Sequence, residues 1–213
     1  MTRSASPARN RTVSVARRKT QAERSASTRK RICEATLEAL AEVGHERIST
    51  TMIAERAEVS RGALTHQFPA RNDLLVAALR HLHEDWQLTD PFGADPDTVR
   101  YSLPDLIDRL WQNIFSDRRY IASIELMLAA RLDNELGRRL REEMKRWVDM
   151  RDERVALLVG FDPARRDDTL QLHLILSVLR GIAVHQSFDQ DATAGAKLVE
   201  LWKSILCRIA EPG

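Results

Sequence analysis

STTMIAERAEVSRGALTHQFPARNDLL, residues 49–75, sets two very short amphipathic segments either side of a Glu-Val-Ser turn. Ser49 or Thr50 is placed to cap the first, whose Ile53, Ala54 and Ala57 share one face. Ser60 caps the second, in which Leu64 and Phe68 stack at i, i+4 before Pro69 ends it. A helix of two turns is unstable alone in water, so neighbouring segments must supply its core. Two such helices joined by a tight turn form a helix-turn-helix pattern, against the alternative of an ordinary helical corner.

The outward face of the second segment carries the chemistry. With Leu64 inward, the 100° step puts Gly62 and His66 opposite it and Ala63 and Thr65 on the flanks. Side chains this small let a backbone come close to a groove. Arg61 has the reach for a guanine edge or a phosphate, and Thr65 and Ala63 suit a base edge or a thymine methyl. His66 and Gln67 are base or phosphate donors. Ser49, Thr50, Ser60 and Arg71 sit at helix N-termini, where free N–H groups favour phosphate.

Upstream, Ile32, Ala35, Thr36, Ala39, Leu40 and Val43 recur at helical spacing, with Ser27 or Thr28 as N-cap and Gly44 as the stop. Residues 1–26 have almost nothing to bury and read as a disordered basic arm. Residues 1–31, Lys30 among them, carry a surplus of nine positive charges; with +2 over the whole chain, the remainder is net −7. A basic arm on an acidic body fits contact with a polyanion, by counterion release. A solubilising tail or a transit peptide are the competing readings.

Segment 29–82 resembles the DNA-binding domain of the TetR-like family of transcriptional regulators. RKRICEATLEALAEVGHERIS is similar to its first helix and glycine turn, and TTMIAERAEVSRGALTHQFPARNDLLVAAL to its next three helices. Ile53-Ala54, Val59-Ser60, Leu64, Phe68, Arg71 and Leu74-Leu75 fall on the family's apolar, capping and basic positions. Three positions depart from it. Glu58 stands where the family often has Gly in the turn, which implies a left-handed residue there. Thr65 replaces a frequent phosphate-contacting Tyr, and His45 a frequent aromatic. The resemblance implies a dimer whose C-terminal helices hold a small effector that resets the separation of two recognition helices.

The expected fold is all-α: a three-helix helix-turn-helix DNA-binding domain at 27–70 and a larger effector-binding and dimerisation domain at 71–213. A fourth helix starts at Asn72 or Asp73, with Leu75, Leu79, Leu82 and Trp86 in its stripe; 89–100 is a loop. Further helices are expected near 102–116, 118–132, 134–159, 164–188 and 194–210. Trp86, Trp111, Phe115, Tyr120, Ile124, Met127, Met144, Trp147 and His173 are the candidate effector lining, although such stripes are also ordinary core. The last two helices are apolar over a broad arc. Leu172, Ile175, Leu179 and Ile182, with Leu198, Trp202, Ile205 and Ile209, are assigned to a two-fold homodimer interface, or else fill a larger monomer core.

No apolar run reaches the roughly 18 residues of a membrane span and the N-terminus lacks a secretory segment, so a cytoplasmic protein is expected. Cys33 and Cys207 lack a paired-ligand spacing, and His81 and His83 lie two apart on a helix, so neither metal nor cofactor is implied. Gly-x-Ser-x-Gly, phosphate-loop and dinucleotide motifs are missing from the sequence, which argues against an enzyme. The expected function is a ligand-responsive repressor, dimeric on a palindromic operator in double-stranded DNA and released by a small-molecule effector. The alternatives are an effector-independent DNA-binding or architectural protein, and a helical interaction module or enzyme with an incidental helix-turn-helix.

Overall fold

The computed structural model describes residues 20–131, 134–162 and 164–210. Most of the expected arm, residues 1–19, lies outside them, but its last residues are helical. Thr20 opens α1 (Gln21–Arg47) with a capping box, accepting from the Glu23 amide at 3.2 Å while the Glu23 carboxylate accepts from the Thr20 amide at 2.7 Å. The helix therefore starts well ahead of Ser27. Residues 21–27 are all exposed, so no apolar stripe marks them in the sequence.

Gly44 breaks α1 where expected, at φ +76°, one turn before the helix ends. A Cβ there would lie 3.1 Å from Glu125 Oε2, and the same carboxylate accepts from the His45 amide at 3.0 Å. Ser49 caps α2 (Thr50–Arg56) by accepting from the Met52 amide, and Ser60 caps α3 (Arg61–Gln67) by accepting from the Ala63 amide. Between them Glu58 holds φ +51°, the left-handed residue implied by its glycine-like position. Arg31 of α1 stabilises this turn: Nη2 donates to Ala57 O and, at 2.9 Å, to Glu58 O. One of the cations counted in the basic surplus of residues 1–31 thus caps the end of α2.

Leu64 and Phe68, 2% and 3% exposed, anchor α3 on the unit's core, and the Arg29 guanidinium lies 4.3 Å above the Phe68 ring. α4 (Arg71–Gln87) then runs from beside α3 into the body, with Leu74, Leu75, Leu79, Leu82 and Trp86 buried along it. α1 packs against both α4 and α6, which joins the N-terminal unit to the rest.

The body contains α5 (Leu103–Leu110), continued by a π-helical turn at Trp111–Phe115, α6 (Arg118–Ala129), α7 (Asn134–Val159), α8 (Arg166–Gln186) and α9 (Ala194–Ala210). The loop before α5 is pinned at Asp90, whose carboxylate accepts from Tyr101 Oη at 2.6 Å and from Arg109. Trp111 packs on α9 so closely that a Cβ on Gly195 would sit 2.4 Å from its ring. Cys33 is buried on α1 and Cys207 exposed on α9. No helix among the described residues is long and apolar enough to cross a membrane.

α8 corrects the expected interface assignment. Leu172, Ile175, Leu179 and Ile182 are 0–8% exposed within a single chain, so they are core. The apolar surface of α8 lies on the opposite arc, at Leu170, Leu174, Val184 and Phe188, beside Leu198 and Leu201 of α9. Trp202 and Ile205 are half-buried, and the side chain of Ile209 lies outside the described residues. A helix apolar all round gives no sequence signal for which arc faces its own chain.

Candidate functional site

The exposed side of α3 carries Arg61, Gly62, Thr65 and His66, with Ala63 half-buried beside them. Ser49 and Thr50 lie exposed at the start of α2, so the two N-termini flank one surface. Arg61 bends towards α2 and donates to the Thr51 hydroxyl, a partner the sequence did not suggest. Gln67 turns back: its Nε2 donates to Ser25 Oγ at 2.9 Å, and its carbonyl accepts from Arg29 at 3.3 Å. Arg71 donates to His45 O at 2.8 Å, tying the start of α4 to the end of α1. Lys30 stays exposed on α1, 3.6 Å from Glu34. The surface is small and polar, with the Ser-capped N-termini of α2 and α3 along it, a geometry suited to phosphates and base edges.

A second feature lies inside the body, an apolar cavity of about 80 Å³. α4 gives it Leu79, His83 and Trp86, the loop gives Phe92, and the π-helical turn gives Ile114 and Phe115. α6 adds Tyr120, Ser123 and Met127; α7 adds Met144, Trp147, Val148 and Arg151; α8 adds Leu176 and Arg180. Trp86, Phe115, Tyr120, Met127, Met144 and Trp147 are thus where the sequence put them. Three expected lining residues are elsewhere. Trp111 packs on α9. Ile124 is half-buried against the core on another face of α6. His173 is exposed and paired with Asp152 at 2.8 Å.

Sequence reasoning missed the polar lining residues, Phe92 and the aliphatic Leu79, Ile114, Val148 and Leu176. His83 stacks on Trp147 with centroids 5.0 Å apart, and Phe92 meets the same ring edge-on at 5.0 Å. Burial pushes the His83 pKa below the usual imidazole value, against the opposing pull of Glu143. Glu143, itself buried, is drawn down to about 2 by His83 and by Arg146 and Arg80. Burial raises the Tyr120 hydroxyl pKa, opposed by Arg180, whose Nε donates to it at 3.1 Å. Among the described residues, buried Trp86 Nε1 has no hydrogen-bond partner, and His83 Nδ1 has only the Glu143 carboxylate, 3.9 Å away. The one available signal for His83 was its i, i+3 spacing to Trp86; nothing local marks Phe92 inside a Pro- and Asp-rich loop.

Residues 32–78 match the family model described as bacterial regulatory proteins, tetR family. Over 187 residues the chain is 30% identical to the HTH-type transcriptional regulator CymR of Pseudomonas putida, covering 82% of this chain and 87% of that protein. A TetR-family regulator from Rhodococcus superposes with a TM-score of 0.63 at 21% identity, over 84% of this chain and 98% of that one. A transcriptional regulator from Streptomyces coelicolor A3(2) does so with a TM-score of 0.55 at 26% identity, over 82% and 95%.

Proposed function

This chain belongs to the tetR family of bacterial regulatory proteins, and we propose from that premise that it is a ligand-released repressor, dimeric on a palindromic operator. One observation carries the reading: α4 is a wall of the cavity through Leu79, His83 and Trp86, and its first residue follows α3 by one short corner. A molecule that spreads the cavity displaces α4, which follows the recognition helix by that corner and packs on α1, the helix that α3 also contacts.

The cavity volume gives this displacement a cause. At about 80 Å³ it is smaller than the roughly 150 Å³ at which an apolar cavity accepts benzene. An effector must therefore favour a conformer with the walls further apart, and differential affinity of that kind is what shifts a two-state equilibrium. In the compact conformer two α3 helices lie about 34 Å apart in successive major grooves; in the spread one they do not. The apolar arc of Leu170, Leu174, Val184 and Phe188 with Leu201 is the proposed two-fold contact, since large apolar side chains exposed along one arc of a helix are a liability in water.

DNA selection on the purified chain at fixed salt, comparing wild type with an Arg61→Ala, Thr65→Ala double variant, tests the proposal. Enrichment of a palindrome by wild type, lost in the variant, is expected. Selection of no sequence by either protein would end the repressor reading.

A further inference from the structure

The cavity's charges are unevenly paired. Its lining contains no carboxylate and two guanidiniums, Arg151 and Arg180. Arg151 is already neutralised, donating to Asp152 through Nε at 2.8 Å and Nη2 at 2.7 Å. Arg180 has one polar partner among the described residues, the neutral Tyr120 hydroxyl, and its terminal nitrogens have none. A half-buried guanidinium facing an apolar space without a counter-charge is costly. It is best satisfied by an anion brought in from outside.

The rest of the wall selects the shape of that anion. Trp86 and Trp147 stand with centroids 5.5 Å apart, Phe92 meets Trp147 edge-on, and Phe115 lies 4.6 Å from Tyr120, so several ring faces and edges border one small space. Packing against them favours a flat aromatic guest. Met127 and Met144, unbranched and readily repacked, are the wall elements able to yield to one ring. One unpaired guanidinium balances one negative charge, and its planar fork matches a carboxylate; a dianionic phosphate would bring a second charge with no partner.

We propose that the effector is a single-ring aromatic monocarboxylate, its carboxylate on Arg180 beside the Tyr120 hydroxyl and its ring among Trp86, Phe92 and Trp147. This rests on the reading of the cavity as an effector site. Arg180 is the residue that specifies charge; the aromatic wall specifies shape.

The test uses the full chain and three probes of one shape: benzoate, benzamide and benzylammonium. Binding is followed by tryptophan fluorescence and calorimetry, and operator release in parallel. Benzoate is expected to bind about tenfold or more tightly than benzamide, the increment of a charge-assisted hydrogen bond, and benzylammonium not at all. Arg180→Gln should erase the preference for benzoate over benzamide while leaving benzamide binding in place. Tyr120→Phe, which keeps the ring, should narrow the same gap and covers the case in which Arg180→Gln fails to fold. Equal binding of benzoate and benzamide by wild type, or a preference that survives in Arg180→Gln, overturns the inference. If benzamide or benzylammonium binds best and releases operator, the effector reading stands and the carboxylate inference falls. If none of the three binds, the carboxylate inference falls, and a thermal-shift screen with larger neutral and cationic compounds decides the effector reading separately.

Discussion

The N-terminal unit and the helical body solve opposite problems with their polar groups. Around α3 the polar atoms are outside and already provided for: Ser49 and Ser60 cap their helices, Arg31 holds the left-handed turn, and Ser25 and Arg29 hold Gln67. In the body the polar atoms at the cavity are inside and, among the described residues, incompletely provided for: Trp86 Nε1 has no hydrogen-bond partner, His83 Nδ1 has only Glu143 at 3.9 Å, and Arg180 has no counter-charge. A surface that must dock on DNA gains from being set in advance. An interior that must respond to a guest gains from leaving groups for the guest to satisfy.

Four substitutions sharpen or break that contrast. Phe92→Ala, which removes a ring only 2% exposed from the cavity wall, should cost about 3–5 kcal/mol in chemical denaturation and leave operator selection intact. Loss of selection at temperatures where the variant is folded would mean that the two regions are less separable than described. Glu143→Gln should cost about 2 kcal/mol at pH 7, and its pH profile is the stronger readout. A carboxyl lowered from 4.5 to about 2 adds stability that is fully present above the unfolded value and is lost as pH falls through the folded one. The gap between wild type and variant should therefore close between those two values in urea titrations; a constant gap would show that the charge of Glu143 is not what stabilises.

On the other side of the contrast, Ser60→Ala removes the α3 cap and should cost about 1 kcal/mol, with a larger loss of operator affinity under the proposal that the same N-terminus meets the groove. Affinity unchanged beyond the stability loss would take that N-terminus out of the interface. The smallest effect belongs to Glu58→Gly, expected to gain about 0.5 kcal/mol, because relief of a left-handed non-glycine residue outweighs an ion pair with Arg31 at 3.6 Å in which Glu58 is 88% exposed. A loss instead of a gain would mean that this ion pair contributes more than exposed pairs usually do.

The two regions also differed in how far they could be read from sequence. The helix-turn-helix depends on caps and i, i+4 pairs that lie within one short segment, so Ser49, Ser60, Leu64 and Phe68 were all legible. The bridges across it were not: Arg31 and Arg29 look like any basic residues until the fold brings them under the turn and over Phe68. The cavity draws on four helices, a π-helical turn and a loop, and only its large aromatics and methionines announce themselves. Phe92, Arg151 and Arg180 carry no local pattern, His83 has only its spacing to Trp86, and Trp111 and His173 have the right chemistry on the wrong side of their helices. For α8, periodicity established how much of the helix is apolar but not which arc the chain keeps for itself.

Cys33 gives the N-terminal unit a clock of its own. Its thiol is 3% exposed and burial pushes its pKa up to about 12, so it is inert to thiol reagents while α1 is packed against its neighbours. Each opening of that packing exposes it. The rate at which a reagent labels Cys33, read apart from exposed Cys207, therefore measures how often α1 comes away from its neighbours, and adding DNA or effector would show which of the two slows the opening.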